Sequence, residues 1–222
     1  ESRPILTGVH FVLSDNKELK TVATDSHRMS QKVITLEKNG DNFDVVIPSR
    51  SLREFTSVFS DDIETVEVFF ANNQILFRSE HISFYTRLLE GNYPDTDRLI
   101  PTEFNTEATF NVANLRFAME RARLLSNATQ NGTVKLEFKN GVVSSHVHSP
   151  EVGRVNEEID TSAVSGEDLS ISFNPTYLIE ALKAIDSEQV VIRFISSVRP
   201  FTLVPEGNEQ GFIQLITPVR TN

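Results

Sequence analysis

The chain has 222 residues and a mass of 25.0 kDa, enough for one large domain or two ordinary ones, and its 39% hydrophobic content excludes general disorder. With 31 acidic against 21 basic residues the net charge is −10, which argues against a protein whose whole surface binds nucleic acid. The absence of Cys excludes disulfide bonds, thiol catalysis and Cys-ligated zinc. No apolar run is long enough to span a bilayer and no secretory leader is visible, so we expect a soluble cytoplasmic protein.

Short strands joined by tight turns dominate the predicted structure. Val9–Leu13 and Leu19–Thr24 form one predicted strand pair, and two further hairpins are marked by the turns Asn72-Asn73 and Asn140-Gly141. Asn and Gly favour such two-residue turns because both tolerate a positive φ. Many short strands at this spacing indicate antiparallel sheets rather than a parallel α/β fold.

Three segments have a helical period instead, namely Pro48–Phe59, Asn111–Leu125 and Pro175–Ile185. In each segment apolar residues recur every three or four positions, which predicts one buried face. The predicted inward residues are Leu52, Phe55 and Phe59 in the first helix, Val112, Leu115, Met119 and Ala122 in the second, and Leu178, Ala181, Leu182 and Ile185 in the third. Asn174 is the expected N-cap of the third helix, with Pro175 at its first position.

The chain also contains two copies of one pattern. A strand, a proline, a helix and a strand pair follow Asp44, and the same order of elements follows Leu169. The second copy opens with the Asn111–Leu125 helix, which has no counterpart in the first copy. The repeat therefore predicts an α+β chain of two duplicated domains, the first without its opening helix. Either the chain is a fragment or the first copy is degenerate, and the fragment is the favoured interpretation. The predicted divisions are a first domain at 1–94, a linker at 95–101 and a second domain at 102–222.

Motifs for catalysis are missing from the sequence, which has no Gly-rich phosphate loop, no nucleophile elbow and no zinc-protease motif. His146 and His148 lie on one face of a predicted strand and could ligate a metal, but the sequence supplies no third ligand nearby. The favoured interpretation is two histidines on a solvated strand face. We therefore expect no catalytic residue, no metal and no cofactor, and a metal-dependent hydrolase stays the weakest alternative.

Five motifs stand in order along the whole chain: RPILTGV at Arg3–Val9, TVATDSHRM at Thr21–Met29, GNYPDTDRLIP at Gly91–Pro101, FNPTYL at Phe173–Leu178 and QLITPVR at Gln214–Arg220. Together they resemble the family of bacterial sliding clamps, the β subunits of DNA polymerase III. The resemblance covers the second and third of the family's three copies of one domain. It implies the DNA-clamp fold, with antiparallel sheets outside and helices lining the inner face of a ring. It also implies a non-catalytic processivity factor that encircles duplex DNA as a head-to-tail homodimer of the full-length protein.

The resemblance further implies a hydrophobic groove for short linear peptides of partner proteins, namely the polymerase, the clamp loader and repair proteins. Carried over by position, the groove residues are Leu6, Thr24, His27, Arg28, Met29, Pro94, Arg98, Leu99, Asn174, Tyr177, Val198, Leu215, Pro218, Val219 and Arg220. Three positions depart from the family pattern. Ser26 stands where Gly is common, Thr217 replaces a bulky apolar residue and Asn222 extends the tail slightly, which bears on the depth and the peptide preference of the groove.

Weak contacts to duplex DNA are implied for cations on the three predicted helices. These are Arg50, Arg53, Arg116, Arg121, Arg123 and Lys183. The alternative is that these helices simply present ordinary solvated faces. Leu124 and Leu125 correspond to apolar residues of the subunit interface, with plain core packing as the alternative for both. A peptide-binding module that is not a clamp is the main alternative function.

Overall fold

The computed structural model describes residues 3–14, 17–38, 40–59, 63–126, 132–149, 153–208 and 211–220. Contacts between Cα atoms divide the chain into two compact units. The first unit comprises Glu1–Asp25 and Gln31–Thr96, and the second comprises Ser26–Ser30 and Asp97–Asn222. Within the described ranges, no helix combines the length and the apolar character needed to cross a membrane.

Antiparallel strands in two sheets make up most of the first unit. Its strands are β1 (Gly8–Leu13), β2 (Glu18–Thr24), β3 (Arg28–Thr35), β4 (Phe43–Pro48), β5 (Glu67–Ala71), β6 (Gln74–Arg78) and β7 (Ser83–Arg87). One sheet has the order β3-β2-β1-β4 and the other the order β5-β6-β7. The residues at 28–30, which begin β3, group with the second unit.

A single α-helix of the first unit, α1 (Ser49–Val58), follows β4 directly. Its Leu52 and Phe55 pack against a small apolar core, as the sequence predicts. The fully buried members of that core are Ile47, Phe59, Ile75 and Phe77. No residue of α1 is itself fully buried.

The second unit has the same arrangement with additional elements. Its strands are β8 (Thr106–Asn111), β9 (Val134–Lys139), β10 (Val142–Ser149), β11 (Gly153–Ile159), β12 (Ala163–Gly166), β13 (Leu169–Phe173), β14 (Gln189–Phe194), β15 (Phe201–Pro205) and β16 (Phe212–Ile216). Its helices are α2 (Val112–Ser126) and α3 (Pro175–Lys183). One sheet has the order β12-β8-β14-β15-β16 and the other the order β11-β10-β9-β13.

A large core fills the second unit, where α2 and α3 pack on each other and each buries one face. Every predicted inward residue of both helices is buried, which confirms the helical patterns. The largest fully buried side chains include Phe110, Phe173, Phe194 and Phe201. The rings of Phe194 and Phe201 stack with their centroids 5.2 Å apart.

The strand orders confirm the predicted repeat and the α+β class. The order β3-β2-β1-β4 matches β11-β10-β9-β13, and β5-β6-β7 matches β14-β15-β16. In the described residues before β1, a short 3₁₀ turn at Pro4–Thr7 stands where the second unit has β8 and α2.

The predicted turns and helices are confirmed, with one boundary error. Asn72 and Asn140 adopt positive φ angles of 52° and 53° in their hairpin turns. The third helix ends at Lys183, two residues before the predicted Ile185. The N–H groups of Ala184 and Ile185 bond to carbonyls only three residues back, at 3.2 Å each, so the chain tightens into a 3₁₀-like turn there.

Candidate functional site

Several of the predicted groove residues lie around the start of α3, in the second unit. The side chain of Asn174 accepts a hydrogen bond from the N–H of Thr176 at 2.9 Å, so Asn174 is the N-cap that the sequence predicts. Pro175 occupies the first helical position and is buried. This capped start fixes the helix and places Tyr177, which is half-buried, one turn further along α3.

The segment Ser26–Ser30 belongs to the same unit and lies beside α3. Ser26 has a φ of 76°, in the left-handed region that glycine adopts most readily. This geometry explains physically why a glycine is suited to the position. The rings of His27 and Tyr177 stack with centroids 6.3 Å apart and an angle of 16° between their planes.

The C-terminal segment is held on two sides by backbone groups of the second unit. The N–H and the hydroxyl of Thr217 both donate to the carbonyl of His27, at 2.9 and 2.7 Å. Two residues later, the N–H of Val219 donates to the carbonyl of Ser172 on β13 at 2.7 Å. The predicted groove residues Pro218 and Val219 therefore lie between the His27 segment and the strand that leads into α3.

Arg28 is the most closely held cation of this group. Its guanidinium carbon lies 4.6 Å from the centroid of the Tyr177 ring, within cation–π range. A guanidinium nitrogen of Arg28 also forms an ion pair with a carboxylate oxygen of Glu180, on α3. The site thus brings His27, Arg28 and Tyr177 together with Glu180, which is absent from the predicted set.

The predicted apolar lining divides into exposed and buried residues. Leu99, Val198 and Val219 are among the exposed large hydrophobic residues of the second unit. Met29 and Leu215 are only 2% and 3% exposed, so they support the surface from below and offer no area to a ligand. Arg220 is exposed at the end of the described chain.

A cavity of about 600 Å³ opens beside residues 98–103, at the end of the third motif. Arg98 and Leu99 line it together with Ile195 and Arg199. Leu6, Thr24 and Pro94 belong to the first unit, where Leu6 and Thr24 are half-buried and Pro94 is exposed.

Two of the predicted DNA-facing cations on α2 already have carboxylate partners. Nε of Arg121 donates to Glu157 of β11 at 3.2 Å, and a second nitrogen of the same guanidinium also bonds to that carboxylate. The hydrogen bond from Arg121 to Glu157 raises the pKa of Arg121, so its charge is fixed and locally neutralised. Nε of Arg116 lies 3.8 Å from a carboxylate oxygen of Glu120.

The remaining predicted cations differ in pairing. Arg50 bonds to Glu54 at 3.1 Å on the exposed face of α1. In the part of the chain that the structure describes, Arg53, Arg123 and Lys183 form no ion pair with a carboxylate. These three cations are therefore the least neutralised members of the predicted set.

The two leucines predicted at a subunit interface face different surroundings. Leu124 is 74% exposed at the end of α2, whereas Leu125 is half-buried and packs against the core of the second unit. Leu124 thus presents an apolar side chain to solvent, whereas the side chain of Leu125 is covered mainly by the core of its own unit.

The histidine pair on β10 takes part in ordinary hydrogen bonds. His146 contacts Ser144 and Asn156, both at 2.8 Å, and Nε of Arg154 approaches His148 at 3.4 Å. Over the described ranges, no group of three or more His, Asp and Glu side chains is placed to hold a metal ion.

Two carboxylates that pair with predicted arginines, Glu180 and Glu157, are absent from the predicted set. Glu180 stands three residues after Tyr177, on the same side of α3, so helical spacing gave a signal for it. Glu157 lies on the same face of β11 as Val155 and Ile159. A charged residue on this otherwise apolar face of the strand was a detectable signal. Neither signal predicts which arginine pairs with the carboxylate, because each partner lies far away in the sequence.

Comparison with protein-family models gives two consecutive matches. The model of the DNA polymerase III beta subunit, central domain, matches residues 1–95, and that of the C-terminal domain of the same subunit matches residues 97–220. The curated relative "Beta sliding clamp" of Streptococcus pneumoniae serotype 4 is 81% identical over all 222 residues. The chain spans 59% of the length of that relative.

Solved structures give the same match. The crystal structure of the DNA polymerase III beta chain of Streptococcus pneumoniae has a TM-score of 0.97 at 81% identity, over 99% of this chain and 58% of that chain. The sliding clamp of Pseudomonas aeruginosa, solved bound to griselimycin, has a TM-score of 0.92 over all of this chain and 59% of that chain. At 23% identity, that second likeness concerns the fold alone.

Proposed function

The chain belongs to the family of DNA polymerase III beta subunits, and from that premise we propose that it is the central and C-terminal part of a DNA sliding clamp. In the full-length protein, two subunits close head to tail around duplex DNA and keep the replicative polymerase on its template in the cytoplasm. The work is done by encirclement and by peptide binding, and it needs no catalytic group.

The observation that carries this proposal is the pair of consecutive domain matches at 1–95 and 97–220. The internal repeat supports it independently, because both units share the strand orders described above. The exposed Leu124 at the end of α2 supports a subunit contact in that region.

The charge distribution suits a protein that slides along DNA. Each phosphate that a protein neutralises releases counterions and strengthens binding, so many free cations would hold the protein in one place. The chain has a net charge of −10, and Arg121 and Arg116 of α2 both lie beside carboxylates. Arg53, Arg123 and Lys183, which pair with no carboxylate among the residues that the structure describes, would then supply weak, sequence-independent contacts.

The residues around α3 support a peptide groove for partner proteins. His27, Arg28 and Tyr177 offer ring faces and donors, and Val198 and Val219 offer exposed apolar area. Each Leu or Phe anchor that a peptide buries fully contributes about 1.5–3 kcal/mol, so two or three anchors give about micromolar affinity after the costs of association. Affinity of that order lets the polymerase, the clamp loader and repair proteins exchange on one site.

Retention on DNA tests the clamp proposal. The full-length protein is loaded on a nicked circular duplex by the clamp loader of the same organism and separated from free protein by gel filtration. We expect it to stay on the circle at high salt and to leave when the duplex is cut once, because a ring can slide off an end. Equal release from circular and linear DNA would contradict encirclement and favour a peptide-binding module that is not a clamp.

Calorimetric titration tests the groove. The probes are griselimycin and a linear peptide that contains Leu and Phe, and the double variant Pro218→Ala with Arg220→Ala should lose binding of both while its circular dichroism spectrum stays unchanged. Arg154→Ala, which removes one charge from β11, is the control and should bind both probes as the unmodified chain does. Unchanged affinity in the double variant would refute the groove assignment.

A further inference from the structure

Resting on the proposed groove, we propose that Glu180 is a specificity-determining residue, which holds Arg28 in place and disfavours acidic side chains in bound peptides at that point. The inference starts from the ion pair between Arg28 and Glu180 and from the ring of Tyr177 beside it.

The position of Glu180 follows from the helix. Tyr177 and Glu180 are three residues apart on α3, so their side chains are neighbours on its surface. The guanidinium of Arg28 reaches both of them, with its carbon 4.6 Å from the Tyr177 centroid and a nitrogen bonded to Glu180. A planar guanidinium held by a ring face and a carboxylate has little rotational freedom left.

The backbone that carries Arg28 is fixed as well. The carbonyl of the preceding residue, His27, accepts two hydrogen bonds from Thr217. Both ends of the Arg28 side chain are therefore positioned before any peptide arrives, which lowers the entropic cost of using it as a donor.

The same ion pair determines the local charge next to a bound peptide. Arg28 and Glu180 are 34% and 50% exposed in their side chains, so a peptide beside one is also near the other. A peptide carboxylate would gain from Arg28 but would be repelled by Glu180, whereas a neutral amide keeps the hydrogen bond without the repulsion. Glu180 thus offsets the preference for acidic residues that an isolated arginine would create.

The test compares Glu180→Gln with Glu206→Gln in the full chain. Glu206 is an exposed glutamate of the same unit, after β15, so the control removes the same charge away from Arg28. The probes are linear peptides that contain Leu and Phe, synthesised as matched pairs in which one residue is Asp or Asn, with that residue moved stepwise along the peptide.

At one peptide position, the affinity of the Asp peptide divided by that of the Asn peptide should rise about threefold in Glu180→Gln, a size expected for a partly exposed ion pair. In Glu206→Gln this ratio should stay unchanged. The rise should shrink at high salt, since exposed charges are screened. Relative to the unmodified chain, the rise should also vanish when Arg28→Gln is added to Glu180→Gln, because the peptide carboxylate then loses the attraction of Arg28 together with the repulsion of Glu180.

Two results would overturn the inference while leaving the groove intact. One is an Asp to Asn ratio in Glu180→Gln that equals the ratio in Glu206→Gln at every position. The other is a rise that persists without Arg28. Failure of the unmodified chain to bind griselimycin or any of the peptides is a different result, which removes the groove itself and this inference with it.

Discussion

Strands β5 and β14 hold corresponding places in the two units, yet the apolar residues of β14 are buried and those of β5 are largely exposed. Each strand follows the proline-led helix of its unit and starts a three-strand run. Val190, Ile192 and Phe194 of β14 are fully buried, whereas Phe69 and Phe70 of β5 are 41% exposed. Two equally apolar strands thus differ because of what covers them.

The covering elements are β8 and α2 in the second unit. β8 pairs with β14 along its whole length, and α2 packs on α3. Within the described residues of the first unit, β5 stands at the edge of its sheet with β6 as its neighbour, and α1 has no helix packed on it. A strand's apolar pattern therefore predicts that it can be buried, while the neighbouring elements decide whether it is.

The largest expected effect contrasts the two strands directly. Phe194→Ala should lower the free energy of unfolding of the second unit by about 3–5 kcal/mol. The substitution leaves a cavity where the buried Phe194 ring packs against the rings of Phe138 and Phe201. Phe69→Ala should lower that of the first unit by about 1–2 kcal/mol, since its ring is 41% exposed and removes less area from water than a fully buried one. Urea denaturation followed by far-ultraviolet circular dichroism measures both.

Hydrogen exchange analysed peptide by peptide assigns each loss to its unit. Losses of equal size in the two variants would contradict the contrast between β5 and β14.

A smaller effect is expected at the helix starts. Asn111 accepts a hydrogen bond from the N–H of Asn114 at 3.0 Å and so caps α2, whereas Pro48 provides no side-chain cap for α1. Asn111→Ala should cost about 1 kcal/mol of stability in the second unit, because it leaves an N–H at the helix start without its partner. Asn111→Asp keeps an acceptor and serves as the control, and an equal loss in both variants would speak against capping. Urea denaturation again measures the difference.

The smallest effect concerns Tyr93 in the first unit and appears only at alkaline pH. Burial raises the pKa of Tyr93 above its usual 10.0, and a hydrogen bond from the backbone at Thr24 offsets part of that rise. Because the unfolded phenol ionises first, the first unit should lose stability as the pH rises from about 10 through the higher pKa of folded Tyr93. Tyr93→Phe should remove this loss.

Tyr85→Phe, which removes a phenol that is 72% exposed, is the matched control. Ultraviolet absorbance of the phenolate and thermal unfolding at several alkaline pH values measure the effect. A loss of stability in Tyr93→Phe as large as in the unmodified chain would assign it to other groups.

Local patterns in the sequence predicted most of the fold. The N-cap at Asn174, the turn at Asn140-Gly141 and the inward faces of three helices are confirmed, because each depends on residues within a few positions of one another. The early end of α3 at Lys183 was missed, since apolar periodicity continues through the 3₁₀-like turn.

Long-range pairing was beyond the reach of the sequence. Arg28 and Glu180 are separated by 152 positions, and only the folded chain brings them together. The grouping of Ser26–Ser30 with the second unit was likewise unpredicted, because no composition or spacing marks it. The identity of the groove residues came from resemblance to a family, and their roles stay predictions.

The left-handed backbone at Ser26 restricts which residues can replace it. Branched or bulky side chains are disfavoured at a φ of 76°, so few single substitutions there would leave His27 and Arg28 where they are. Glycine, asparagine and aspartate adopt this conformation most readily, so Ser26 itself holds a backbone that most other residues would adopt only with strain.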